Sequence, residues 1–174
     1  MPARTPHRSN MQKKLEMAAN IAILVVAIAV VGLVVKREFF TKADRGPAPD
    51  MVGKKLPLGN IDWAGSNNHL VLALQEDCHF CSESAAFYQR LSGIATQSGC
   101  HLIAVLPQEE SEGRKYVAGL GLSIGDVRKV SLYELGVDGT PTLILVDNRG
   151  TVKRTWPGKL PPEGEAAVIK ALQG

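Results

Sequence analysis

The chain has 174 residues and a formal net charge of +3, a length that fits one compact domain with a short extension. Its basic residues are scattered and do not alternate with aromatic residues along a stripe, which argues against nucleic acid as a partner. Three cysteines are too few for a domain held together mainly by disulfides.

The first feature along the chain is an apolar run without any charge, over residues 17–35. As a helix it would span about 28 Å, close to the ~30 Å hydrocarbon core of a bilayer. The A-x-A-like pattern of a cleaved signal peptide does not follow it, and it has no polar face to suit a core helix. We therefore predict an uncleaved, single transmembrane anchor over residues 18–36, after a short tail over residues 1–17.

The charges beside the anchor leave its orientation open, since four basic residues lie on each side. Those before it are Arg4, Arg8, Lys13 and Lys14, and those after it are Lys36, Arg37, Lys42 and Arg45. A segment rich in proline, glycine and charge follows and predicts a linker over residues 37–52. The folded domain is expected over residues 53–174.

Within this domain, predicted strands and helices alternate. Strands are expected at 70–75, 101–107, 126–131, 142–147 and 151–156, and helices at 78–98, 109–120 and 163–172. Gly99 is expected to end the first of these helices. His69 and His101 are interpreted as residues at strand edges. Alternating elements followed by a hairpin and a helix predict an α/β fold, with a central mixed sheet flanked by helices.

The motif Cys78-His79-Phe80-Cys81 lies between the first strand and the first helix of the domain. Two thiols at this spacing can close a small disulfide ring. The partial positive charge at a helix N-terminus also favours a thiolate over a thiol. A strand, a Cys-x-x-Cys motif and a helix, in this order, are what a dithiol redox centre requires.

Other readings of the motif are weaker. A haem attachment site needs histidine directly after the second cysteine, but residue 82 is serine. A structural zinc site needs two more ligands, and no second short-spaced pair of cysteine or histidine residues is present. A purely structural disulfide stays open, although stabilising disulfides usually close longer loops.

The second motif is Gly139-Thr140-Pro141-Thr142, which leads into a strongly apolar strand. With the Cys-x-x-Cys motif it resembles the thioredoxin-like superfamily. The order of motifs from Leu56-Pro57 to the hairpin turn at Asp147-Asn148-Arg149-Gly150 resembles its membrane-tethered, TlpA-like branch. This resemblance covers about residues 50–174 and implies a thioredoxin-like fold preceded by one transmembrane helix.

The resemblance also implies roles for the motif residues in thiol–disulfide exchange. Cys78 would be the sulfur that attacks a substrate disulfide, and Cys81 would resolve the mixed disulfide. Pro141, predicted to be cis, would hold the facing loop, while Thr140 would present its backbone to the bound chain. The redox-active disulfide itself would serve in place of an organic cofactor or metal.

The dipeptide between the cysteines has two further roles in this interpretation. His79 is a candidate modulator of the Cys78 thiolate, and Phe80 is interpreted as a packing residue. Asp77 and Glu76 oppose His79, because they repel a developing negative charge. Where thioredoxin has a buried aspartate six residues before its first cysteine, this chain has Leu72. Water or Glu76 would then have to accept the proton of the second thiol.

The expected partners are protein thiols and disulfides, an upstream redox donor or acceptor, and membrane lipid through the anchor. Because disulfides form and persist outside the cytoplasm, the domain is expected on the extracytoplasmic side of the inner membrane. Two other functions stay open, a redox-inactive binding module and an assembly factor that handles copper or haem. The third cysteine, Cys100, is expected to be a buried residue at the start of a strand, although it could pair between molecules.

Overall fold

The computed structural model describes residues 14–28, 30 and 51–173. It divides into two compact units, one reaching to Gly46 and one beginning at Pro47. In the first unit, residues 14–28 form helix α1 with exposed side chains. None of the helices formed by the described residues is both long and apolar enough to cross a membrane. The predicted tail and linker fall largely at positions 1–13 and 37–50, outside the described residues, whereas the predicted anchor is described at residues 18–28 and 30.

The second unit contains five strands and four α-helices among its described residues. The strands are β1 (Asn68–Ala73), β2 (His101–Leu106), β3 (Asp126–Lys129), β4 (Thr142–Asp147) and β5 (Val152–Pro157). The helices are α2 (His79–Glu83), α3 (Ala85–Ser98), α4 (Glu110–Gly119) and α5 (Pro162–Gln173), with a short 3-10 turn at Trp63–Gly65. These bounds lie within about three residues of the predicted ones, with the break between α2 and α3 as the main difference.

The strands form one mixed sheet in the order β3-β2-β1-β4-β5. β1, β2 and β3 are parallel, whereas β4 is antiparallel to both β1 and β5. The two parallel connections step in the same direction across the sheet, so their right-handed crossovers place α3 and α4 on the same face. The predicted central mixed sheet with flanking helices is confirmed.

Alternation along β1 divides its apolar side chains between two cores. Leu70 and Leu72 pack on one face, in a core to which α3, α4 and α5 contribute. Val71 and Ala73 pack on the other, which is covered by the non-helical segments 51–63 and 130–137. Met51, at the end of the predicted linker, is already buried in this second core. A strand buried on both faces explains why the sequence of β1 is a continuous apolar run.

The prediction of a single helix over residues 78–98 is wrong, because the helix is interrupted at Ser84. This residue has φ −90° and ψ 0°, outside helical values. Its hydroxyl donates to the carbonyl oxygen of Phe80 at 2.8 Å, a back-bond of the kind that often bends helices. The cysteine pair therefore lies at the start of a five-residue helix, α2, rather than of one long helix. Gly99 ends α3 in the left-handed region, as predicted.

Candidate functional site

The Cys-x-x-Cys motif lies just beyond the C-terminal end of the central strand β1. Asp77, in the left-handed region with φ +63°, turns the chain into α2. Cys78 is the N-cap residue of this helix, and its Sγ accepts a hydrogen bond from the backbone N–H of Cys81 at 3.1 Å. The two cysteines are joined in a disulfide, with their Cα atoms 5.2 Å apart. The short helix thus brings the two sulfurs together.

The two sulfurs differ in their access to solvent. Cys81 is completely buried in the core that also contains Leu72, whereas Cys78 is only half-buried. Leu72, an apolar residue, belongs to the same core as Cys81. Glu76 is exposed in the loop before Cys78. The arrangement offers one sulfur to an incoming partner and keeps the other behind it.

The Thr140–Pro141 loop meets the same edge of the sheet as the cysteines. Thr142, the first residue of β4, pairs with Ala73, the last residue of β1. The Thr140–Pro141 peptide bond is cis, as predicted. The carbonyl oxygen of Pro141 accepts the backbone N–H of Gly158 at 2.6 Å, which ties the loop to the segment after β5.

His79 contacts a carboxylate that sequence reasoning did not single out. Its Nε2 lies 3.2 Å from Oε1 of Glu83, one helical turn further along the chain. The other oxygen of Glu83 accepts a hydrogen bond from Nζ of Lys159 at 3.0 Å. This hydrogen bond is the main cause that lowers the pKa of Glu83. The i,i+4 spacing of His79 and Glu83 could have predicted their pairing, but Lys159 is 76 residues away from Glu83.

The interpretation of Phe80 as a packing residue is wrong. Its side chain is 44% exposed and lies on the surface of α2, next to the ring of His79 at 5.7 Å between centroids. Phe80 follows the N-cap by two residues, and the short helix turns this position outward while Cys81 turns inward. The exposed ring adds an apolar group to the surface of α2, within the same motif as the half-buried Cys78.

Cys100 lies between α3 and β2, at the opposite end of α3 from the redox motif. It is a free, buried thiol, as expected, and burial raises its pKa to about 11. A thiol with such a high pKa is almost entirely protonated at neutral pH and reacts poorly as a nucleophile. The structure therefore separates Cys100 from the exchange chemistry.

His69 is the second residue of β1 and is completely buried. Its ring packs edge-on against Trp63 at 5.0 Å and against His101, which is exposed, at 5.5 Å between centroids. Neither ring nitrogen has a hydrogen-bond partner among the described residues. Burial, followed by the neighbouring His101, lowers the pKa of His69, and Asp62 offsets this only in part. This cluster lies at the N-terminal ends of β1 and β2, at the sheet edge opposite the cysteines.

Over residues 14–28, 30 and 51–173, no three side chains of histidine, cysteine, aspartate or glutamate are grouped in a way that could hold a metal ion. The two cysteines are joined to each other in the structure.

Comparisons with known proteins identify the fold. The thioredoxin domain of a thiol-disulfide oxidoreductase from Bacteroides vulgatus is similar at a TM-score of 0.54 and 17% identity, over 71% of this chain and 98% of that one. A thiol:disulfide interchange protein from Bacteroides sp. is similar at 0.53 and 17% identity, over 71% and 86%. A thiol-disulfide isomerase from Corynebacterium glutamicum is similar at 0.51 and 14% identity, over 75% and 98%.

No protein-family model and no curated protein matches the sequence. The structural similarities, at low sequence identity, establish that the chain has a thioredoxin-like fold.

Proposed function

We propose that this protein is a membrane-tethered thiol:disulfide oxidoreductase whose Cys78–Cys81 pair exchanges with disulfides of extracytoplasmic proteins. The observation that supports this best is the pairing of a half-buried sulfur with a completely buried one at the end of the central strand. The structural neighbours described above are named for thiol–disulfide chemistry, which agrees with the proposal.

The exchange takes two steps. The thiolate of reduced Cys78 attacks one sulfur of a substrate disulfide, forms a mixed disulfide and releases the other substrate sulfur as a thiolate, which takes up a proton. Cys81 then loses its proton and attacks the Sγ atom of Cys78, which releases the second substrate thiol. Two electrons pass to the substrate, and the pair ends as the disulfide. The reverse sequence oxidises a substrate dithiol.

The hydrogen bond between the two cysteines suits the first step. In the reduced protein, the backbone N–H of Cys81 would donate to the negatively charged sulfur of Cys78, which favours the thiolate over the thiol. The second step needs a proton acceptor for the buried Cys81. Since Leu72 is apolar and Glu76 is exposed, water reaching the pair from the Glu76 side is the acceptor in this mechanism.

The Thr140–Pro141 loop provides the surface on which the substrate chain is proposed to lie. The loop precedes β4, whose first residue pairs with the end of β1, so it lies at the sheet edge from which the cysteines extend. Thr140 would present its backbone groups to an extended substrate segment, next to the half-buried Cys78. Phe80, exposed on the surface of α2, would contact apolar substrate side chains.

The membrane part of the proposal depends on the sequence of the first unit. The apolar run over residues 17–35 is as long as a bilayer requires, and the side chains of α1 over residues 14–28 are exposed, without a core of their own. A C-terminal domain on the extracytoplasmic side would place the cysteine pair where disulfides persist.

An insulin-reduction assay tests the exchange activity. The full chain, purified in detergent and supplied with dithiothreitol, should accelerate the precipitation of reduced insulin chains well above the dithiothreitol background. A Cys100→Ser variant is the matched control and should remain active, because Cys100 is buried away from the pair. A wild-type protein that gives only the background rate would contradict the proposed function.

A further inference from the structure

The Glu83 carboxylate contacts two basic side chains from different parts of the fold. Its Oε1 lies 3.2 Å from Nε2 of His79, and its Oε2 accepts Nζ of Lys159 at 3.0 Å. His79 belongs to the dipeptide between the cysteines, while Lys159 lies between β5 and α5. Lys159 therefore fixes the carboxylate from outside α2, and the carboxylate in turn fixes the ring of His79.

The hydrogen bond to the Cys78 sulfur does not come from His79. The recorded donor to its Sγ is the backbone N–H of Cys81, whereas the imidazole of His79 is directed to Glu83. The side chain of His79 is 78% exposed, so without this contact it would be free to adopt other rotamers. The charged group that contacts His79 is Glu83 on the same helix. Lys159 from the β5–α5 segment contacts Glu83, and Glu76 and Asp77 lie in the loop before the helix.

We propose that Glu83 is a positioning residue of the redox site, which holds His79 away from the Cys78 sulfur and so lowers the oxidising power of the Cys78–Cys81 pair. This inference rests on the function proposed above. A protonated imidazole near Cys78 would stabilise its thiolate and hence the reduced pair, whereas the disulfide has no charge to stabilise. With the ring paired to Glu83, that stabilisation is weakened.

The equilibrium with glutathione measures the effect of Glu83 on the reduced Cys78–Cys81 pair. Two glutathione thiols give two electrons and two protons to the pair. The bond between the sulfurs of Cys78 and Cys81 breaks, and a bond between the two glutathione sulfurs forms. The equilibrium constant of this reaction, measured for the full chain in detergent, reports how strongly the reduced pair is stabilised.

Two substitutions of Glu83 separate the positioning effect from a simple change of charge. Glu83→Ala releases the ring, whereas Glu83→Gln removes the same charge but keeps an oxygen that can accept from His79. At pH 6, Glu83→Ala should raise the equilibrium constant for reduction about two- to fivefold, as expected for an exposed charge pair. Glu83→Gln should raise it less.

A second background tests whether the effect passes through His79. In a His79→Ala protein, Glu83→Ala and Glu83→Gln should give equal constants, because there is no ring left to position. Glu112→Ala is the matched control, since Glu112 is an exposed helical carboxylate without an ion pair among the described residues. This control should leave the constant unchanged.

Equal effects of Glu83→Ala and Glu83→Gln at pH 6 in the wild-type background would overturn the inference and leave the proposed function intact. An unchanged difference between them in the His79→Ala background would do the same. If instead the wild-type pair is not reversibly reduced by glutathione and shows no insulin reduction, the proposed function itself fails.

Discussion

The backbone N–H of Cys81 donates a hydrogen bond to the Sγ atom of Cys78 at 3.1 Å, so the buried cysteine supports the half-buried one. The relationship is asymmetric, because Cys81 is completely buried in the core while Cys78 can be reached from solvent. An incoming thiol or disulfide can therefore contact Cys78 first. This asymmetry assigns different roles to two residues of the same type.

The first prediction concerns these roles. Cys78→Ser should abolish insulin reduction, since the accessible nucleophile is lost, whereas Cys81→Ser should form mixed disulfides that cannot be resolved. Non-reducing electrophoresis of the two variants, after incubation with a disulfide-containing protein, should show the adducts only for Cys81→Ser. Adducts of Cys78→Ser without adducts of Cys81→Ser would reverse the assignment of the nucleophile.

The second prediction concerns the turn between β4 and β5. Gly150 has φ +78°, and an added Cβ would lie 2.9 Å from Nε1 of Trp63. Gly150→Ala should therefore lower the free energy of unfolding by about 1–3 kcal/mol, from left-handed strain and the clash together. Urea unfolding of the unit from residue 47 to residue 174, followed by circular dichroism, provides the measurement.

The matched control for this prediction is Gly93, an exposed position within helix α3. A Cβ there would meet no atom within 4 Å. Gly93→Ala should raise the free energy of unfolding by about 0.5–1 kcal/mol, because alanine loses less backbone entropy in a helix than glycine does. If Gly150→Ala were as stable as the unsubstituted protein, the close packing of Trp63 on this turn would be disproved.

The third prediction follows from the burial of His69. Its pKa in the folded domain is lowered, chiefly by desolvation, so the folded state binds this proton more weakly than the unfolded chain does. Stability should therefore decrease as the pH falls below the unfolded-state value of about 6.5. His69→Leu, which cannot titrate, should show a weaker decrease between pH 7.5 and pH 5 in urea unfolding experiments. Parallel pH profiles for the two proteins would show that His69 does not contribute to this dependence.

The fourth prediction concerns the predicted anchor over residues 18–36. When the full chain is expressed in a Gram-negative bacterium, it should remain in the membrane pellet after carbonate extraction. Protease added to spheroplasts should remove the C-terminal domain if this lies outside the cytoplasm. A soluble periplasmic product that lacks about the first 35 residues would indicate a cleaved signal peptide instead.

The local pattern of the sequence was sufficient to predict most of the fold. The continuous apolar run of β1 predicted a strand, and Gly99 predicted the end of α3. The Cys-x-x-Cys motif and Thr140-Pro141 predicted the two segments that meet at one edge of the sheet. The strand and the helix end follow from periodicity and from a residue with a strong backbone preference, whereas the facing of the two motifs was implied by the resemblance to the thioredoxin-like superfamily.

Other features depend on contacts between distant parts of the chain. The apolar spacing continues through Ser84, so nothing in the pattern revealed that the helix is interrupted there. In the sequence, His69 is a polar residue just before an apolar run, which does not indicate burial. Its ring is covered by Trp63, which packs against it edge-on. The contact between Glu83 and Lys159 joins residues 76 positions apart.

The sequence by itself determined the order of strands and helices, the identity of the sulfur pair and the position of the proline loop, because propensity and periodicity act over a few neighbouring residues. Only the tertiary structure decided which sulfur is accessible, which way Phe80 faces and which carboxylate engages His79. These properties arise when the sheet brings separate segments together, since burial and electrostatic pairing depend on distances in space and not on spacing along the chain.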